Sequence, residues 1–194
     1  MKEYQSPKMA DAKEMADAKR AIEWVISDIE RASIKGEAKT AGFILISCAI
    51  DFLATLHKGT KSNGKVYSQF IDAFFEDKDV YKGRELYDCL RCGLVHNYTI
   101  HDSKYILTHG HPDRHGELDG GKIILNLENF FDDLVKAKQR YLARLKASKD
   151  LQENVKRQVS KVGVLGLVPF SPEVADEVAD NVRESSGSST VSVS

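Results

Sequence analysis

Between Ala41 and Leu56 the chain reads "AGFILISCAIDFLATL". A run this apolar on almost every side can only be stable as the most buried element of a core. The spacing predicts a helix from about Glu37 to His57. Ser47, Asp51 and Thr55 are its polar exceptions, and their i, i+4, i+8 spacing lines them along one face. A carboxylate inside such a helix must find a cation or take up a proton. Asp51 therefore predicts a partner, and the stripe predicts a face turned toward a cleft. The run contains a carboxylate and falls short of the roughly 20 residues that a membrane span needs. A soluble protein is expected, with no membrane partner.

Helical stripes recur on both sides of this run. Ser6-Pro7 reads as an N-cap followed by proline in the first turn. Ile22, Val25, Ile26 and Ile29 form an i, i+3, i+4, i+7 stripe that ends near Gly36. Val66, Phe70, Ile71, Phe74 and Phe75 mark a third helix. Leu86, Tyr87, Leu90 and Leu94 mark a fourth, ending near Asn97. The period then changes. "KYILTH" and "GKIILNL" are β-rich runs joined by a polar loop and read as a β-hairpin over about 104–127. A fifth helix starts near Glu128 and carries Phe131, Leu134, Tyr141, Leu142 and Leu145.

The expected fold is mainly α: an up-and-down helical bundle over 1–148 with an inserted β-hairpin. A basic helical extension and an acidic segment follow over 149–184. Residues 185–194, "SSGSSTVSVS", are expected to be disordered. The 194 residues carry a formal net charge of -1, so only local charge can argue for a nucleic-acid partner. Three cysteines, an odd number, give no disulfide framework and suit a reducing cytoplasm. The charged N-terminus has no apolar secretory core.

The chemistry-bearing stretch is "LRCGLVHNY", Leu90 to Tyr98. Arginine offers a planar, permanently charged fork suited to phosphate. Histidine exchanges protons near neutrality. Together Arg91 and His96 supply what metal-free RNA cleavage needs: a base for the ribose 2′-OH and a cation for the phosphate. Five residues of an ideal α-helix, however, set their directions about 140° apart. The length of arginine, a bend near Gly93 or the pairing of two helices across a dimer axis would each resolve this. Arg91 could instead pair with Asp51, and His96 could sit at the helix C-terminus as a dipole partner.

Other candidates are weaker. Cys89, Cys92 and His96 share a helical face, but no second cysteine pair completes a zinc set, so no metal is expected there. Small buried side chains account better for these cysteines. His109, His111, Asp113, Arg114 and His115 crowd the hairpin loop, where contact with RNA or a partner is the favoured reading over metal binding. Lys136, Arg140 and Arg144 repeat at i, i+4, i+8 and form either a solvated face or a phosphate-tracking ridge. No P-loop, dinucleotide fingerprint, nucleophile elbow or zincin motif is present, and no cofactor is expected.

"RCGLVH" is an R-x4-H motif late in an amphipathic helix of a small bundle. Over Ala21 to Leu145 the chain resembles the HEPN superfamily, in which R-x4-6-H marks many members as metal-independent endoribonucleases. The resemblance implies Arg91 and His96 as site residues, with Asp51 assisting from a neighbouring helix. It implies a homodimer in which two motifs face each other, and RNA or a nucleotide as ligand. A role in defence, stress or a toxin–antitoxin pair follows, with an antitoxin or another protein as a further partner. The position after the arginine is usually polar in that superfamily; here it is Cys92, which favours the superfamily's non-catalytic binding modules. A helical interaction protein without ligand is the third reading.

Overall fold

The computed structural model describes residues 7–100 and 104–162. Helix α1 (Pro7–Ile29) runs on into a π-helical turn, Glu30–Ile34. Pro7 opens it as expected; Ser6 lies outside the described residues. Helix α2 (Lys39–Lys58) carries the apolar run and packs against α1, α3 (Gly64–Phe74) and the helices that follow. Its Ile46, Ile50 and Leu53 are fully buried. By length and composition α2 is the one described helix apolar enough to cross a membrane. Half of that window is buried within the bundle, which is compatible with the core helix of a soluble protein. Asn63 starts α3 by accepting the backbone N–H groups of Lys65 and Val66.

Helix α4 (83–97) is continuous but not uniform. It is α-helical at Gly83–Leu86, π-helical at Tyr87–Leu94 and α-helical again at Val95–Asn97. Leu86, Cys89, Leu90 and Leu94 are buried in the core. Helix α5 (Leu127–Ala147) is capped by Asn126, which accepts from Glu128 N–H and Asn129 N–H. Phe70 and Phe74 of α3 meet Tyr141 of α5 around the His57 ring of α2, edge to face for the most part.

Helix α6 (Lys149–Val162) restarts after Ser148, whose hydroxyl accepts the Leu151 N–H. It packs back on α1 and α2, burying Leu151 and Val155. This extension therefore completes the bundle. The expectations for the acidic segment and the disordered C-terminus fall outside the described residues.

The expected β-hairpin is corrected. Strands β1 (Tyr105–Thr108) and β3 (Lys122–Asn126) pair in parallel, Tyr105 opposite Ile123. A short β2 (Leu118–Asp119) pairs antiparallel with β3, so the order is β1-β3-β2. The tight hairpin joins β2 to β3 through Gly120 and Gly121, both at positive φ. A two-residue turn that matches strand twist demands that conformation at both positions, and glycine adopts it without a Cβ clash. The loop after β1 crosses over before the chain turns, so β1 and β3 enter the sheet in the same direction.

Candidate functional site

The π-helical segment answers the angular difficulty posed by Arg91 and His96. In an α-helix, residues four apart are hydrogen-bonded; here the Val95 N–H reaches back five residues to the Leu90 carbonyl. Residues five apart are then about one turn apart and share a face. Arg91 Nη1 lies 3.4 Å from His96 Nε2 within a single protomer. A second copy of the chain is not needed to bring them together. A guanidinium only donates, so the favourable role for Nε2 in this contact is that of acceptor.

Leu86, Leu90 and Leu94, spaced four residues apart, are all held in the core along this helix. Gly93 has a separate role. A Cβ there would stand 2.6 Å from the Thr99 carbonyl oxygen. The chain leaves the helix through Tyr98, at φ 54, and folds directly over Gly93. The close approach of the Thr99 backbone excludes any side chain at position 93.

Asp51 reaches the same place from α2. Arg91 Nε donates to Asp51 Oδ2 at 3.0 Å, with the two side chains 27% and 22% exposed. The hydrogen bond that Arg91 donates to Asp51 is the main cause that raises the Arg91 pKa above its ordinary value, so the guanidinium stays charged. The other carboxylate oxygen, Oδ1, is buried and has no hydrogen-bond partner among the described residues. With Nε committed to Asp51, the outer guanidinium nitrogens lie toward His96, which is exposed.

The rest of the polar stripe on α2 does not join this cluster. Ser47 is fully buried and shares a hydrogen bond with the Tyr67 hydroxyl at 3.4 Å. Thr55 donates to the Asp51 main-chain carbonyl at 2.9 Å. The predicted cleft-facing stripe thus reduces to Asp51 alone. Sequence reasoning passed over Cys48, an exposed thiol three residues before Asp51 and so on its helical face. Partial desolvation by its neighbours on α2 and α4 pushes its pKa up, with Arg91 pulling down and Asp51 adding to the rise. Tyr87 borders the site as well. Burial raises its pKa first, followed by Cys92 and Asp51.

The basic candidates lie elsewhere and most are already paired. Lys136 Nζ meets Asp133 at 2.7 Å, and Arg140 donates to the Phe74 carbonyl at 2.6 Å and pairs with Glu76. Arg114 bonds Glu117 at 3.0 Å and lies near Asp119 within its own loop. Arg144 is exposed, with no ion pair among the described residues. His115 is drawn out of the loop: its Nδ1 accepts the Asn126 N–H at 3.1 Å and its Nε2 meets the Tyr81 hydroxyl at 3.0 Å. Tyr81 in turn donates to Asp133 at 2.6 Å. Cys89 is buried while Cys92 is half-buried. Among the described residues no group of three or more His, Cys, Asp or Glu side chains is gathered as a metal site.

What the fold and site define is a mainly helical bundle with a small mixed sheet and a partly exposed Asp–Arg–His cluster between α2 and α4. No protein-family model, no curated protein and no solved structure matches the chain.

Proposed function

We propose that the chain is a HEPN-like endoribonuclease that cleaves RNA through attack of the ribose 2′-OH, without a divalent metal in the chemical step. The observation that carries this reading is the 3.4 Å approach of Arg91 Nη1 to His96 Nε2 on an accessible surface. Bound phosphate takes over the outer nitrogens of Arg91, and His96 Nε2, released from that contact, takes the proton from the 2′-OH. The 2′-oxygen bonds to phosphorus as the bond to the 5′-oxygen breaks. The leaving 5′-oxygen takes a proton from solvent water, or from a second imidazole where two copies meet, giving a 2′,3′-cyclic phosphate and a 5′-hydroxyl end. The outer nitrogens of Arg91 hold the non-bridging oxygens while charge builds there. Asp51 fixes the fork by engaging Nε.

A homodimer in which two such clusters face each other would supply a second imidazole, the natural acid for the leaving oxygen. A place in defence, stress response or a toxin–antitoxin pair, with an antitoxin or another protein as partner, belongs to the same proposal. The test is incubation of the purified protein with RNA in the presence of a chelator. Cyclic-phosphate products that vanish in His96→Ala support the reading; wild-type protein that leaves RNA intact overturns it.

A second reading rests on the Arg91–Asp51 bond at 3.0 Å and the buried Asp51 Oδ1. In it the pair is structural, and the chain is a non-catalytic RNA- or nucleotide-binding module, as Cys92 favours, or a helical interaction protein. Binding that survives His96→Ala without any cleavage would select the binding module.

A further inference from the structure

Tyr98 is the one non-glycine residue at positive φ among the described residues, at φ 54 and ψ 30. The left-handed conformation is disfavoured for every side chain with a Cβ, and for a bulky one it is a genuine outlier. Glycine is the residue that helix termination favours at such a position. The turn is nevertheless held firmly. The Tyr98 N–H donates to the Leu94 carbonyl at 3.0 Å, and the following Thr99 carbonyl lies over Gly93. Strain of this kind persists where surrounding structure over-determines it, and it clusters at functional sites.

Among the described residues, no contact of the side chain offsets that strain. Tyr98 is 68% exposed, and among the described residues its ring stacks on no other ring and its hydroxyl has no partner. The buried tyrosines are engaged within the fold: Tyr81 and Tyr105 hydrogen-bond, Tyr67 meets Ser47, and the ring of Tyr141 packs against His57, Phe70 and Phe74. A large aromatic side chain is therefore displayed to solvent two residues after His96, on the turn that closes the helix carrying Arg91.

We propose that Tyr98 is a positioning residue that stacks on a nucleobase beside the phosphate held at Arg91, and that the ligand is accordingly single-stranded RNA with unpaired bases. The inference rests on the ribonuclease reading above and deepens it. Only an unstacked base presents its face to an aromatic ring, whereas bases in an RNA duplex are covered by their neighbours. Stacking on one ring is sequence-tolerant, because every base has a π-face. The ring then sets which nucleotide sits next to the scissile phosphate without dictating its identity.

The probe is a short, fluorescently labelled single-stranded oligoribonucleotide bearing 2′-O-methyl groups, which cannot undergo 2′-OH attack. Tyr98→Phe keeps the ring; Tyr98→Gly removes it and relaxes the backbone. The expected result is near wild-type affinity for Y98F and a loss of about 5- to 150-fold for Y98G, the range that one base–aromatic stack supplies. Y98G is expected to melt at or above the wild-type temperature, so that binding falls while stability does not. With cleavable RNA, Y98G raises KM and leaves kcat nearly unchanged, the pattern of lost uniform binding. Removing one base from the probe should weaken the wild type and not Y98G. If wild-type protein binds and cleaves RNA and Y98G matches it in affinity, the stacking role is overturned and the ribonuclease reading stands. If Y98G changes the molecular mass in solution, Tyr98 is a subunit contact and the role is overturned likewise. If wild-type protein neither binds nor cleaves RNA, both fall.

Discussion

The Arg91 guanidinium and the His96 imidazole, five residues apart in sequence, lie 3.4 Å apart because the helix between them is wound with a five-residue hydrogen bond from Val95 N–H to the Leu90 carbonyl. Asp51, forty residues upstream, holds the same guanidinium from the other side. An exposed imidazole beside a cation that is itself held in place is a workable base for phosphoester chemistry.

His96→Ala should lower RNA cleavage by about 10²- to 10⁴-fold, the usual contribution of one general acid–base group. His96 is exposed, so the variant should melt within a degree or two of wild type, a shift on the order of 0.5 kcal/mol or less. Initial rates with a labelled RNA and a thermal melt check both. Unchanged cleavage rules the mechanism out.

Arg91→Ala leaves the Asp51 carboxylate half-buried without its cation. Loss of a fully buried partner costs about 3–5 kcal/mol, but both side chains here retain access to water, so about 1–2 kcal/mol is expected. Asp51→Asn keeps the shape and should cost less. In a double-mutant cycle the Arg91→Ala, Asp51→Asn pair should be less destabilised than the sum of the singles. Strict additivity would show that the 3.0 Å bond contributes nothing.

Gly93→Ala places a methyl group 2.6 Å from the Thr99 carbonyl oxygen, which is backbone and cannot swing aside. The expected cost is about 1–3 kcal/mol, as for an overpacked core position. Cleavage should fall more than stability alone explains, because the turn that must move begins at the residue after Asn97, beside His96. Denaturant unfolding and single-turnover rates under conditions where the variant is fully folded separate the two effects.

Stability should decline as pH falls below about 6.5. Burial is the main cause that lowers the His115 pKa from 6.5, with Lys136 adding to it and Asp133 and Asp77 opposing. Burial likewise lowers that of His57, aided by Arg144 and Lys58. A depressed histidine pKa means that the unfolded chain binds more protons in the window between the folded pKa and 6.5. The contribution is therefore fully present above 6.5 and is lost as pH falls toward the folded value. His115 is also the acceptor for Asn126 N–H through Nδ1, a role that a protonated ring cannot fill. Melting temperatures from pH 8 to pH 5 should slope downward in wild type and less steeply in His115→Gln. A parallel pair of curves would remove His115 from this account.

Much of the scaffold was legible without coordinates. The stripe Ile22–Ile29, the apolar run on α2, the aromatic stripe of α3 and the start of α5 near Glu128 are local patterns. Each follows from the residues within one or two turns. The partnership of Asp51 with Arg91 was also within reach, because a carboxylate on so apolar a helix needs a cation, and Arg91 was the candidate on the next polar stretch. The parallel pairing of β1 with β3 was not legible. Two β-rich runs separated by a turn-rich loop look like a hairpin until the crossing path of 109–117 is known. Ser47 showed the same limit: its spacing from Asp51 placed it on one face, but only packing against Tyr67 decided that this part of the face is buried.

By itself, then, the amino-acid order determined which segments coil and which side each presents to the core, since periodicity and capping act over a few residues. It also determined that a guanidinium, an imidazole and a carboxylate were available. Whether they meet was decided by tertiary structure. Leu86, Leu90 and Leu94 are all held in the core across a widened helix, and the Thr99 backbone rests on Gly93. Those contacts rotate His96 back onto the face of Arg91, and no property of the nine residues from Leu90 to Tyr98 taken alone requires it.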